Sequence, residues 1–304
     1  GHNGALDSRD YFADPNEPKP PFSYYEYGGT AGGSISRDRA FYFADFQGTN
    51  QKRSDTLTLS VPTARMRAGD FSEEGNPTII DPQTGQPFPG NVIPQNRMSP
   101  LSRNFIDLYP DPNREGLRNN YVVSPTVTQN VYQGDLKFDD NITQSDQVFA
   151  RGSYIGNSRV IPAPLPGIAG GGDYGTGDTS RTTWGAALGY SRTLTDHSFN
   201  EFRGGFNQLS TSVGIPAGGT YVPPANLQVP GVPLDPSVNG LTVFAPDSYS
   251  FIGDPEYNPT YTKSQELQFS DALTFLFGNH NVRVGVMARQ SRFDLFQIPQ
   301  PRGK

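Results

Sequence analysis

Three histidines, His2, His197 and His280, are the side chains best suited to metal ligation or proton transfer, and none stands at i, i+4 from another or in a His-x-x-Glu arrangement. No metal centre is expected of them. Asp139, Asp140 and Asn141 resemble the opening of a calcium loop, but that loop's glycine and closing glutamate are missing at the required spacing. The run reads instead as the end of a strand. Gly170, Gly171, Gly172, Gly175 and Gly177 have the density of a phosphate cradle or a calcium repeat. A cradle needs a following helix that opens with Lys-Ser/Thr, and a repeat needs iteration; neither follows, which leaves a flexible rim loop. No Gly-x-Ser-x-Gly elbow is present, so no Ser/His/Asp triad can be assigned. The absence of cysteine removes thiolate metal sites, thiol nucleophiles and disulfides. Neither an enzyme activity nor a cofactor is expected.

What remains is recognition. Tyr249, Phe251, Tyr257 and Tyr261 share one long segment with Asp247, Asp254 and Asn258. Rings beside short polar groups suit stacking on sugars or clasping an extended peptide, and the same rings also serve to pack a loop against its neighbours. Tyr249, Phe251 and Tyr257 are the ligand-contact candidates.

The elements that would position these residues are alternating strands. Tyr132, Gly134, Leu136 and Phe138 interleave with Gln133, Asp135, Lys137 and Asp139; after a polar turn at residues 141–145, Val148, Ala150, Gly152 and Tyr154 interleave with Phe149, Arg151 and Ser153. The pattern recurs through Trp184, Leu188, Phe202 and Phe206, and again through Val282, Val284 and Val286 against Arg283 and Arg289. A Gly-rich first hairpin spans residues 24–35 and 39–47. Short turns at 36–38, 141–145, 195–198 and 278–281 fall at one end, and long segments at 48–130, 156–181 and 208–263 fall at the other. In the first of these, Ser99 as N-cap, Pro100 as the first helical residue and Pro110 as a stop predict one short helix with Leu101, Phe105 and Leu108 on its inner face.

Period-two strands with one-sided loop lengths are the pattern of an outer-membrane β-barrel wall. The fold class expected is therefore all-β: an antiparallel meander of about eight strands forming part of a transmembrane barrel, with long extracellular loops. Trp184, Leu188, Phe202, Phe206, Val282, Val284 and Val286 should face lipid, and Asp135, Lys137, Arg151, Glu201, Arg203, Arg283 and Arg289 the lumen. Asp271 breaks the parity of its strand.

Composition agrees. The 304 residues include 34 Gly and 28 Pro, with a hydrophobic fraction of only 34% and a net charge of −6. A barrel needs apolar residues at alternate strand positions only, so a mean hydropathy of −0.57 is no obstacle to a membrane location. The cations are scattered rather than gathered in a stripe, so nucleic acid is not an expected partner. The first ten residues carry no leader pattern, and the sequence runs out after Phe293 without a closing aromatic strand. A fragment is expected, with strands 24–35 and 281–292 as unpaired edges.

Ordered motifs carry a family resemblance. Ala5-Leu6-Asp7-Ser8-Arg9-Asp10-Tyr11-Phe12, Gly28-Gly29-Thr30-Ala31-Gly32-Gly33 and Ala40-Phe41-Tyr42-Phe43-Ala44-Asp45-Phe46 are followed by Val61-Pro62-Thr63-Ala64-Arg65-Met66-Arg67-Ala68-Gly69-Asp70-Phe71-Ser72. Asp81-Pro82-Gln83-Thr84-Gly85, Asn200-Glu201-Phe202-Arg203 and Phe277-Gly278-Asn279-His280 complete the series. Together they resemble the barrel of Oar-like TonB-dependent transporters of the acidobacterial type, receptors that carry a carboxypeptidase-regulatory-like domain. The resemblance implies residues 1–304 as the N-terminal part of a plugged barrel of about 22 strands. It also implies a bacterial outer-membrane location, lipid and TonB as partners, and a nutrient, glycan or peptide ligand. The alternative is a soluble or surface-attached β-rich binding module or adhesin.

Overall fold

The computed structural model describes residues 1–8, 19–75, 78–172, 176–215 and 220–304. In chain order its strands are β1 (His2–Asn3), β2 (Phe22–Ser36), β3 (Ala40–Ser54), β4 (Leu57–Leu59), β5 (Tyr121–Val123), β6 (Thr126–Asn141), β7 (Asp146–Ile161), β8 (Gly177–Thr195), β9 (Ser198–Val213), β10 (Thr260–Phe277) and β11 (His280–Gln297). β4 and β5 pair with each other. The remaining strands form one nine-stranded antiparallel meander, ordered β1-β2-β3-β6-β7-β8-β9-β10-β11. Among the described residues it is open: β11 pairs only with β10, and β2 meets β1 at Ser23 and Tyr24 alone. The expected free edge at residues 24–35 is thus covered at one end by the two-residue β1. The rest of the expected edge is exposed as anticipated.

Register fixes the faces, because directly opposed residues project to the same side. Trp184 opposes Tyr154 and Gln208, and Gln208 opposes Gln265, which opposes Arg292. Following these pairs puts Trp184, Leu188, Phe202, Phe206, Val282, Val284 and Val286 on one face. Asp135, Lys137, Arg151, Glu201, Arg203, Arg283 and Arg289 lie on the other. The expected division holds at every one of these positions. The Trp184 and Tyr154 rings lie against each other, with centroids 4.5 Å apart. Val284 and Val286 carry the apolar stripe onto the edge strand, where they are 63% and 71% exposed.

The apolar face is a band rather than a full covering. Toward the short turns it changes to Asp146, Tyr190 and Arg192, with the Tyr190 hydroxyl donating to Asp146 at 2.5 Å. Asp271 interrupts the band itself, opposite Phe202 and Val286, and Asn200 donates to its carboxylate at 2.8 Å. Toward the long loops the same face changes to Asn50, Asn130, Ser158, Ser180, Thr182, Ser210 and Ser212. The strands continue through this hydroxyl-rich stretch, so β8 reaches 19 residues, against about 9–11 needed to cross the hydrocarbon. The expected loops at 48–130, 156–181 and 208–263 are accordingly shorter, at 55–125, 162–176 and 214–259. Alternation disappears where both faces are polar, while backbone pairing persists.

The long loops fold together into a cap with its own core. Val61, Phe105 and Tyr109 from the first meet Leu165 and Ala169 from the second and Leu227, Leu241 and Ile252 from the third. The predicted helix is α2 (Pro100–Ile106), which buries Phe105; Ser99 precedes it but makes no side-chain capping bond. A further single-turn helix, α1 (Ala64–Arg67), was not anticipated, and its N-terminus is capped by the Thr63 hydroxyl. The glycine run is not a flexible rim in its described part. Gly170 and Gly171 are buried, and Gly171 N–H donates to the Gly253 carbonyl at 3.0 Å. A Cβ on Gly171, whose φ is +70°, would meet the Phe251 carbonyl oxygen at 2.8 Å. Asp173, Tyr174 and Gly175 of that run, and Arg9, Asp10, Tyr11 and Phe12 of the first motif, lie outside the described residues.

Candidate functional site

The cap is held by buried polar side chains that bond within and between its loops. Asn120, fully buried, accepts from Val61 N–H at 2.9 Å and donates to the Val61 and Gly116 carbonyls. Asn258, also fully buried, donates to Thr176 and Gly214 carbonyls, both at 3.0 Å, joining the second and third loops. The last residues do not simply run out. Arg302 is buried beneath the third loop and donates to the carbonyls of Val238 (3.0 Å), Asn258 (2.6 Å) and Pro255 (2.5 Å). Beside it, buried Asp254 accepts from Leu241 N–H at 2.7 Å and from the Tyr221 hydroxyl at 3.0 Å. Burial raises the Asp254 pKa against these bonds and lowers that of Arg302. With both Arg302 Nη atoms and the Asp254 carboxylate engaged inside the fold, this pair is a clamp that fastens the third loop to the last residues.

The aromatic candidates separate. The Tyr249 hydroxyl donates to Glu74 at 2.6 Å and accepts from Arg118 at 2.5 Å, with the Arg118 guanidinium 4.0 Å from the ring centroid. Arg118 and Tyr249 hold the Glu74 carboxyl below its ordinary range, and burial pushes the Tyr249 hydroxyl up. Tyr249 therefore ties the third loop to the first. Phe251 is half-buried and Tyr257 is exposed. Both line a cavity of about 290 Å³ with Val243, Ala245 and the ion pair Lys304–Glu256 (3.2 Å). Tyr261 is not in a loop. It projects from β10 beside Phe296, with ring centroids 5.8 Å apart.

Phe251 also lines a larger cavity, about 440 Å³, where the cap meets the upper end of the charged face. Leu57 and Leu59 of β4, Val127 of β6, Ile161 of β7 and Leu165 form its apolar walls, and Arg159 and Asp55 are its charged members. This volume lies within the range of small-molecule sites.

The charged face below is a lattice of ion pairs. Arg151 meets Asp135 at 2.6 Å, Arg283 meets Glu201 at 2.9 Å, Arg289 meets Glu266 at 2.5 Å, Lys137 meets Asp139 at 2.8 Å, and Arg203 also engages Glu201. Near the top Arg53 pairs with Asp55 at 2.9 Å. Arg159 and Arg181 differ, having no hydrogen bond or ion pair among the described residues, and the Arg159 Nε is buried without an acceptor. Sequence reading passed over both. The signal present was an arginine at luminal parity with no acid two residues away on its own strand or opposite it.

No cluster of His, Asp or Glu among the described residues is arranged to hold a metal. No helix among the described residues is long and apolar enough to cross a membrane, which says nothing of strands. A family model described as an outer membrane beta barrel domain matches residues 1–304. No curated protein and no solved structure matches the chain. A match of this extent gives the two faces their solvents: the apolar band meets outer-membrane lipid, and the ion-paired face lines the lumen.

Proposed function

The chain belongs to the outer membrane beta barrel domain family, and from that premise we propose that it is the N-terminal part of the barrel of a TonB-dependent receptor. The receptor binds a ligand at the cell surface and moves it across the outer membrane on energy transmitted by TonB. The observation that carries this reading is the cap. Loops that only closed off strands would not need a shared buried core, whereas a receptor needs a shaped surface above its lumen. The open sheet supports the same reading, since a membrane barrel leaves no unpaired edge in lipid, and both edges here await further strands. The Oar-like motifs supply the TonB-dependent type. A soluble binding module is disfavoured by the exposed stripe of Val282, Val284 and Val286.

The test uses the full-length parent, purified in detergent, and the periplasmic domain of TonB. Calorimetry should show binding to the parent and none to residues 1–304 alone. A parent that ignores TonB would remove the energy-coupled role and leave a surface-binding barrel.

A further inference from the structure

We propose that Arg159 and Arg181 form the anion-recognition pair of a luminal groove that takes a ligand with an apolar body ending in a carboxylate. Arg159 on β7 opposes Thr179, and Arg181 lies two residues further along β8, on the same face. Diagonal neighbours of this kind stand roughly 7–8 Å apart, close enough for two guanidinium groups to engage one carboxylate or its immediate surroundings. Every other arginine of the luminal face described above is matched by an acid. These two are adjacent, unmatched among the described residues and placed at the mouth of the lumen.

The surroundings specify the rest of the ligand. Above Arg159 the 440 Å³ groove presents Leu57, Leu59, Val127, Ile161, Leu165 and Phe251. Its one carboxylate, Asp55, is engaged by Arg53 at 2.9 Å. A guanidinium without an acid partner in the wall of an apolar groove is complementary to an acid whose remainder is apolar. A sugar would leave the apolar wall unused, and a cation would meet like charge.

The assignment rests on the receptor reading for its biological use, but binding by the purified full-length protein needs no TonB. Three probes suffice: N-acetyl-Leu-Phe, its C-terminal amide, and octanoate, each titrated by calorimetry. The acid should bind about tenfold or more tightly than the amide, the scale of one charge-assisted contact. R159Q and R181Q should each erase that preference, R159K should keep part of it, and R151Q, whose arginine is matched by Asp135, should leave it unchanged. Octanoate competing with the acid would mark a free organic acid as the source of the carboxylate, and octanoate failing to compete would mark a peptide terminus. Both outcomes uphold the pair. Equal affinity for acid and amide in the unaltered protein, no binding of the acid, or a preference surviving both glutamine variants overturns it. Loss of TonB binding with the preference intact would strike only the transport reading.

Discussion

The Arg118 guanidinium stacks 4.0 Å from the centroid of the Tyr249 ring, and its Nη1 donates to that ring's hydroxyl at 2.5 Å across 131 residues of sequence. Glu74 accepts from both, so three side chains from two loops share one charge-assisted junction. The ring is thereby committed to joining loops.

Tyr249→Phe should consequently loosen the cap by about 1.5–3 kcal/mol, the usual scale for a hydrogen bond to a charged partner. Hydrogen exchange of cap amides in the full-length parent should quicken while the strands stay protected. Tyr257→Ala should leave exchange unchanged and reduce ligand binding if the smaller cavity is used. Binding loss with Tyr249→Phe but not with Tyr257→Ala would place contact at the junction instead.

The cap core should fail independently of the wall. Ile252 is fully buried, and Ile252→Ala should cost about 2–5 kcal/mol. Limited proteolysis should then cut residues 214–259 first, with the folded barrel still migrating as a heat-modifiable band on gels.

The apolar band sets a depth-dependent tolerance. Val284→Arg places a cation in the lipid and should cost about 2–4 kcal/mol if near the midplane. Thr182→Arg, on the same face but within the hydroxyl-rich stretch, should cost about 1 kcal/mol or less. Urea titrations of the parent refolded into vesicles compare the two, and equal costs would misplace the band.

Acid should open the first loop. The Ser72 hydroxyl and N–H, together with Arg65, hold the Asp70 carboxyl down from 3.8 to about 2. A carboxylate depressed on folding contributes stability that is present above its ordinary value and is lost as pH falls toward the folded one. Exchange around residues 64–74, corrected for intrinsic rates, should therefore accelerate between about pH 4 and pH 2, and Asp70→Asn should flatten that dependence.

Legibility in the sequence followed contrast between neighbours. Where valine alternates with arginine, as at Val282, Arg283 and Val284, strand, face and solvent could all be read before any coordinates. Where the outward residues are Ser180, Thr182, Ser210 and Ser212, both faces are polar and the strand was indistinguishable from loop. The α2 helix was visible through its prolines. The clamp of Arg302 on Asn258 was not, because each residue alone resembles ordinary surface polarity and only the fold brings them together. Tyr249 stood out as aromatic, but its role depended on Arg118, a remote residue. Arg159 and Arg181 required the register, since an unmatched charge is defined by what does not lie opposite it.

Trp184 is the only tryptophan in the chain. It sits against Tyr154 where the apolar band gives way, two residues earlier on its own face, to Thr182 and then Ser180 in the direction of the loops. The protein thus carries a built-in optical depth gauge at its outer lipid boundary. Brominated lipids substituted near the headgroup should quench its fluorescence more strongly than lipids brominated near the chain ends, reporting the vertical seating of the barrel without any added label.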